Sequence, residues 1–112
     1  MHEISISQHI LRSLKAELPS EEYDAIKEIK LKIGALACVE PVLLHNAFKA
    51  VTEGTKQENI DLAIEFLEVK AHCNTCGKNF EVKMHKYICD SCGAPSSNVV
   101  QGNEMLIHQV VF

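Results

Sequence analysis

Four of the five cysteines fall in two Cys-x-x-Cys pairs, and a glycine follows each pair. The pairs are Cys73–Cys76 and Cys89–Cys92, with twelve residues between them. Two residues between cysteines let both sulfurs of a tight turn face one ion, and the glycine accepts a positive φ. Four thiolates leave no open coordination position, so the spacing predicts a structural zinc site. A four-thiolate iron site and two redox-active pairs are the alternatives.

The extreme N-terminus offers a second set of metal ligands. The amine of Met1 and the deprotonated amide and Nδ1 of His2 can bind one ion through fused chelate rings. The amide or carboxylate of Glu3 could complete a planar set. Nitrogen-rich square-planar geometry favours Ni(II) or Cu(II) over zinc. From spacing alone, an exposed terminal histidine without a ligand role is the alternative interpretation.

The rest of the chain carries no recognisable catalytic constellation. It has no nucleophile spaced with a histidine and an acid, no glycine-rich phosphate loop and no open-site zinc motif. We therefore predict that the protein is not an enzyme. The remaining histidines are interpreted as structural or surface residues, although His72 and His85 flank the cysteine pairs. Cys38, which stands alone, is interpreted as a small buried hydrophobic residue.

Composition limits the classes of partner and compartment. Hydrophobic residues make up 46% and charged residues 23% of the 112 residues, as in globular proteins. The formal charge of −4 argues against a nucleic-acid partner. No apolar run approaches the roughly 20 residues that span a bilayer, so no membrane association is expected. The start of the chain does not read as a secretory signal, and the odd cysteine count argues against a disulfide framework. We expect a cytoplasmic protein.

Periodicity predicts helices and strands in alternation. Apolar residues at four-residue spacing predict a first helix, which a Ser5/Gln8 capping box would begin, after His2 and Glu3, and Pro19 would end. Two-residue alternation predicts a strand over 29–35. Glu40-Pro41 begins a second helix, and Gly54 ends it. A second strand follows over 62–66, with a bulge or a change of neighbour near Phe66.

The last third of the chain divides into a metal segment and a returning strand. Residues 72–94 have too few aliphatic residues for a core of their own. Residues 104–112 are apolar on both sides, which predicts a central or covered strand of the first lobe. The fold class is therefore α/β (α+β): a small mixed sheet of about three strands with two helices, plus an inserted zinc-ribbon lobe. The predicted domains are an α/β domain (1–70 and 98–112) and a zinc-ribbon domain (71–97).

With both metal features in place, the chain resembles the HypA/HybF family of hydrogenase-maturation nickel metallochaperones. The matching segments run in the family's order over essentially the whole chain: Met1-His2-Glu3-Ile4-Ser5, Ile33-Gly34, Val39-Glu40, Gly54-Thr55, the two Cys-x-x-Cys-Gly motifs and Gly102-x-Glu104-Met105-x-Ile107. The Met-His-Glu start combined with this cysteine spacing is specific, whereas either half alone is not.

The resemblance implies a nickel-binding α/β lobe and a zinc-ribbon lobe. It implies that the chain delivers Ni(II) for NiFe hydrogenase, with the nickel-handling GTPase HypB and the hydrogenase large subunit as partners. In some organisms it also implies urease maturation. By position, His2 with Glu3 would bind nickel and the four paired cysteines would bind zinc. The competing hypotheses are a zinc-ribbon module that binds protein or nucleic acid, and a rubredoxin-like electron carrier.

Overall fold

The computed structural model describes residues 3–112, so Met1 and His2 lie outside the described residues. Its helices and strands follow in this order: α1 (Glu3–Glu17), α2 (Ser20–Asp24), β1 (Glu28–Gly34), α3 (Pro41–Thr52), β2 (Asp61–Leu67), β3 (Lys70–His72), β4 (Asn79–Glu81), β5 (Val99–Gln101) and β6 (Met105–Val111). A short 3-10 turn, Ala35–Ala37, follows β1. The strands form two three-stranded sheets, which confirms a mixed α+β fold. In this part of the chain, no helix is long and apolar enough to cross a membrane.

Helix α1 buries the predicted apolar stripe but begins earlier than predicted. Ile6, Ile10 and Leu14 are buried, as four-residue spacing requires. The capping box was wrong, because Ser5 is an exposed residue inside the helix rather than its N-cap. Glu3 is likewise inside α1 and not before it. An acidic side chain in the first turn suits the positive end of the helix dipole, which favours this earlier start.

Helix α2 was not predicted from the sequence. It has five residues and buries none of them, so it has no apolar stripe from which a periodicity could be read. Pro19, predicted to end α1, lies between the two helices as the N-cap residue of α2. Helix α3 begins at Pro41 as predicted, and the Glu40 side chain accepts a hydrogen bond from the Val42 N–H.

The first sheet has the order β2-β1-β6, with β1 in the centre. Strand β1 is parallel to β2 and antiparallel to β6. Ile29, Leu31 and Ile33 of β1 are almost completely buried in the core that includes residues of α1 and α3. The predicted strand over 29–35 and the predicted second helix are therefore confirmed as β1 and α3. Both contribute residues to the core of the first lobe.

The predicted covered position of the last strand was wrong. Strand β6 is an edge strand, and Leu106 is 52% exposed. Lys30 pairs with Gln109 but Leu31 pairs with Ile107, so one residue of β6, His108, is left over as a bulge. The bulge shifts the side-chain alternation, so Ile107 and Val110 both pack against the core. Residues 104–112 therefore look apolar on both faces partly because the bulge moves Val110 to the same face of the strand as Ile107.

The chain changes sheets after β2 without a bulge. Strand β2 keeps regular pairing with β1 to its last residue, Leu67. The next strand, β3, is the centre of the second sheet, which has the order β4-β3-β5. Of the two alternatives predicted near Phe66, the change of neighbour is the one that occurs. Strand β5 extends the second sheet to Gln101, past the boundary predicted at residue 97.

A backbone contact between two glycines joins the sheets. An ideal Cβ at Gly34 would lie 2.0 Å from the carbonyl oxygen of Gly102. The N–H of Leu36 donates to that oxygen at 2.9 Å, and the N–H of Gly34 donates to the Glu104 carbonyl at 2.7 Å. The Glu104 carboxylate in turn accepts from the N–H of Gly102 at 2.6 Å. This glycine junction exists only because position 34 has no side chain.

Replacement of Gly34 by alanine tests the junction. We expect Gly34→Ala to lower the free energy of unfolding by about 3 kcal/mol, because a backbone segment would have to move. Gly54→Ala is the matched control: Gly54 has φ +77° but nothing within 4 Å of an added Cβ. That control should lose only about 1 kcal/mol through backbone strain. Urea unfolding of both variants measures the difference, and equal losses would contradict the steric role of Gly34.

Candidate metal centre

Two matching turns form the site. In the first, the N–H of Cys73 donates to the Lys78 carbonyl and the N–H of Gly77 donates to the Cys73 carbonyl, both at 2.8 Å. The second turn repeats this pattern between Cys89 and Ala94 and between Gly93 and Cys89. Gly77 and Gly93 have φ of +79° and +76°, which the sequence predicted for the glycine after each pair.

The turns bring the four predicted sulfurs together. The Sγ atoms of Cys73, Cys76, Cys89 and Cys92 all lie within 4.8 Å of one another. Across the turns, Cys73 Sγ is 3.5 Å from Cys92 Sγ, and Cys76 Sγ is 3.7 Å from Cys89 Sγ. Zinc–sulfur bonds of about 2.3 Å in a tetrahedron place sulfurs roughly 3.8 Å apart. The separations therefore fit four thiolates around one ion and exceed a disulfide bond.

The donor set is complete without other side chains. Within residues 3–112, no histidine or carboxylate joins the four sulfurs. His72, next to Cys73, contacts the amide oxygen of Asn79 through Nδ1 at 2.8 Å, and this contact orients the ring. His85 is exposed, as interpreted from the sequence. A saturated sulfur set can hold an ion but offers no position for a substrate.

The metal site accounts for half of the second core. Cys73 and Cys89 are buried with Ala71 and Phe80, whereas Cys76 and Cys92 are exposed. Two apolar residues are a small core for the three short strands of this sheet. An ion that joins the two turns would therefore contribute directly to the stability of the lobe.

Without an ion, the four thiols titrate very differently. A backbone hydrogen bond from Cys76 is the main cause that lowers the pKa of Cys73 to about 6. The Ala94 backbone hydrogen bond lowers the pKa of Cys92, but the adjacent Cys73 and burial outweigh it and raise that pKa to about 12. Close thiolates repel one another, so they cannot all ionise unless a cation is present.

The hairpin between the pairs ends in an unusual turn. Met84 and His85 have φ of +54° and +60°, and the N–H of Lys86 donates to the Lys83 carbonyl at 3.0 Å. Two-residue hairpins favour Asn-Gly at such positions, because larger residues are strained there. The sequence has no turn signal of this kind at Met84-His85.

Two other predicted residues are placed differently or not described. Cys38 is exposed, with φ +54°, so its interpretation as a buried residue was wrong. It follows a 3-10 turn at the surface. Of the predicted nickel ligands, Met1 and His2 lie outside the described residues. Glu3 is half-buried in the first turn of α1, and its carbonyl accepts from the Ser7 hydroxyl at 3.0 Å.

Comparison with known proteins identifies similar chains over the full length. Residues 1–112 match the family model described as "Hydrogenase/urease nickel incorporation, metallochaperone, hypA". The hydrogenase maturation factor HypA of Chlorobium phaeobacteroides is 34% identical over 112 residues, covering 100% of this chain and 99% of the relative. HypA of Acidithiobacillus ferrooxidans is 34% identical over 110 residues, covering 98% and 97%.

Solved structures support the fold. The solution structure of the Ni metallochaperone HypA from Helicobacter pylori matches with a TM-score of 0.65 at 23% identity. The match covers 98% of this chain and 96% of that one. A second solution structure of a HypA protein matches with a TM-score of 0.68 and 24% identity, covering 98% of this chain and 94% of that one. The shared architecture therefore includes both sheets.

Loss of one sulfur should release the metal. We expect Cys73→Ser to lower the zinc content of the purified protein well below one ion per chain and to make residues 70–101 sensitive to protease. Cys38→Ser is the matched control, because Cys38 lies outside the cluster. It should keep a full equivalent of zinc. Metal analysis and limited proteolysis check both variants, and full zinc in Cys73→Ser would contradict the ligand assignment.

Zinc binding should release protons. The raised pKa values of Cys76 and Cys92 keep both thiols protonated near neutral pH. Coordination requires thiolates, so binding should release about two or more protons per ion. Apparent zinc affinity should then fall by roughly 100-fold for each unit that the pH drops. Calorimetry in buffers of different ionisation enthalpy measures the protons released. A heat independent of the buffer would contradict the assignment.

Proposed function

Because the chain belongs to the HypA family of hydrogenase and urease nickel-incorporation metallochaperones, we propose that it binds Ni(II) at its N-terminus and delivers the ion to NiFe hydrogenase. The observation that carries this proposal is the match over residues 1–112, which includes the Met1-His2-Glu3 start. The resemblance inferred from the motifs is thereby confirmed, and the delivery of nickel by this chain is the step that we add.

The proposed nickel ligands come from the first three residues. The terminal amine of Met1 and the amide and Nδ1 of His2 supply nitrogens, and Glu3 completes the set. These donors suit a planar Ni(II) complex, which nitrogen ligands favour. Glu3 begins α1, so the helix would anchor one side of the ligand set to the first core. The acidic residue also lies where the helix dipole favours negative charge.

The proposed ion in the four-cysteine site is structural zinc. Cross-turn sulfur separations of 3.5 and 3.7 Å support a tetrahedral ion. Four sulfur ligands close the coordination sphere, so the ion would stabilise the ribbon rather than act on a substrate. A rubredoxin-like iron centre would use the same ligands, and metal analysis of the purified protein distinguishes the two.

The two sites differ in the way a carrier requires. A cargo ion must leave, and a planar site at a chain terminus is open on both faces. A structural ion must stay, and the four-cysteine site is closed and half-buried. We therefore assign nickel as cargo and zinc as a resident ion. The chain acts in this proposal as a binding and transfer protein, not as an enzyme.

The partners in this proposal follow from the family. They are the nickel-handling GTPase HypB and, as the recipient of the ion, the large subunit of NiFe hydrogenase. Urease maturation proteins are a second destination, since the family description includes urease. Free thiols in a metal site suit a reducing compartment, so we place the transfer in the cytoplasm. Neither nucleic acid nor a membrane has a role in it.

Removal of the His2 imidazole tests the nickel assignment. We expect His2→Ala to weaken Ni(II) binding by at least about 100-fold, because the chelate loses a nitrogen ligand. One residue added before Met1 should have the same effect with every side chain retained, because it moves the free amine. Titration calorimetry of tag-free protein measures both. Zinc content and circular dichroism should stay unchanged.

His9→Ala is the matched control, since His9 is an exposed histidine of α1 outside the proposed set. It should bind one Ni(II) as the unmodified chain does. Tight binding of one Ni(II) by the extended protein would refute the terminal site. The ligands would then have to be sought among His45, His85 and Cys38. An unmodified protein that binds no nickel would favour the zinc-ribbon interaction module.

A further inference from the structure

The two turns of the metal centre each expose one cysteine to solvent. Cys76 and Cys92 are exposed, whereas Cys73 and Cys89 are only 0% and 1% exposed. In both turns the exposed residue is the second cysteine of the pair. An oxidant in solution therefore reaches one cysteine of each turn directly, and the other cysteine is shielded by the fold.

The sulfur contacts cross from one turn to the other. Cys92 Sγ lies 3.5 Å from Cys73 Sγ, and Cys76 Sγ lies 3.7 Å from Cys89 Sγ. Each contact joins the exposed cysteine of one turn to the buried cysteine of the other. Within the first turn, the Cys73 sulfur instead accepts from the N–H of Cys76 at 3.5 Å. Each exposed sulfur thus has a neighbouring sulfur in the opposite turn.

We propose that this cluster is a site of reversible oxidation by peroxide, in which two disulfides across the turns, Cys73–Cys92 and Cys76–Cys89, take the place of the metal ion. The inference goes beyond the delivery of nickel, because it depends on the arrangement of the four sulfurs alone. It can fail while the nickel and zinc assignments both stand.

The first oxidation begins at an exposed sulfur. Metal-binding cysteines are thiolates, and the thiolate is the form that attacks an oxidant. The Cys92 sulfur attacks one oxygen of hydrogen peroxide, the O–O bond breaks, and hydroxide leaves, so that a sulfenic acid forms. The Cys73 sulfur, 3.5 Å away, then attacks the Cys92 sulfur. The S–O bond breaks, a second hydroxide leaves, and the S–S bond forms.

The electrons and protons of this reaction balance. Two thiolates give up two electrons, one peroxide accepts them, and each hydroxide takes up a proton from solvent to become water. The exposed Cys76 and the buried Cys89 form the second disulfide with a second peroxide in the same way. A disulfide sulfur is no longer a thiolate, so the first disulfide already removes half of the ligands on which metal binding depends.

Disulfides across the turns would keep the ribbon folded without an ion. The buried core of this lobe consists of Ala71 and Phe80 besides two cysteines, so the lobe needs a link between its turns. A cross-turn disulfide supplies that link, because it restricts the unfolded chain between the two turns. A disulfide within one Cys-x-x-Cys pair would close only its own turn. Oxidation across the turns therefore exchanges one closed form of the ribbon for another.

Peptide mapping of the oxidised chain tests whether the disulfides join the two turns. The zinc-loaded Cys38→Ser chain, which lacks the cysteine outside the cluster, is treated with hydrogen peroxide, alkylated and digested with trypsin without reductant. Trypsin cuts after lysine, so peptide 71–78 holds the first cysteine pair and peptide 87–112 holds the second. We expect one product that contains both peptides and that a reductant separates. Two separate peptides, each about 2 Da lighter than its reduced form, would overturn the proposal, as would alkylated thiols or higher oxides in place of the link.

Fragment masses of the linked product identify which sulfurs are joined. Cleavage before Asp90 separates Cys89 from Cys92. Backbone fragmentation between the first two cysteines separates Cys73 from Cys76. We expect the Cys73 fragment to carry the Cys92 peptide. A Cys73 fragment that carries the Cys89 peptide would contradict the proposed pairing.

Zinc release and protease resistance test whether the disulfides replace the ion. A colorimetric zinc indicator should report loss of the zinc of the Cys38→Ser chain as the linked product forms. The oxidised, zinc-free chain should then be cut within residues 70–101 at least about tenfold more slowly than the reduced chain from which a chelator has removed the zinc. Equal cutting rates, or zinc that stays bound after both disulfides have formed, would overturn the proposal. Dithiothreitol with added zinc should restore the original zinc content, and a lasting loss would refute the reversibility.

Discussion

The second lobe depends on four closely spaced sulfurs being held together despite their mutual repulsion. The lobe folds around Ala71, Phe80 and two buried cysteines, and this core is too small to hold three short strands without another contribution. The same turns that give Cys73 its low pKa leave Cys92 with a high one, because the thiolates cannot share so small a volume. A divalent cation removes that conflict and converts a repulsive cluster into the strongest set of bonds in the lobe.

The first lobe, in contrast, is held together by a central strand that buries the side chains of one face in the core. Ile29, Leu31 and Ile33 fill the core beneath α1 and α3, and both edge strands pair with this one strand. The N–H of Gly34, at the end of the same strand, donates to the carbonyl of Glu104. Strand β1 therefore both forms the core of the first lobe and ends at the glycine junction with the second.

Local sequence signals predicted much of this arrangement. The cysteine spacing and the glycines after it encode each turn completely, so the sulfur cluster could be predicted from the residues alone. The Glu40-Pro41 start of α3 is similarly local. The capping box and the burial of Cys38 failed at local positions, whereas the failure for β6 depends on a distant partner. The covered position expected for β6 was wrong because one bulge residue, His108, shifts the alternation, and a bulge is set by pairing with β1. The contact between His45 and Leu62 joins residues seventeen apart and has no sequence signal.

The order of the strands has a consequence for the way the chain assembles. Strands β2 and β6 flank β1 in the same sheet, yet the 37 residues from 68 to 104 separate them in the chain. An unstructured loop of that length costs about 3 kcal/mol of closure entropy before β6 can dock. If an ion folded the ribbon first, residues 69 and 102 would already lie side by side, as they do in the structure. Metal loading would then reduce the entropy cost of pairing β6 with β1, because it would shorten the unstructured segment between β2 and β6.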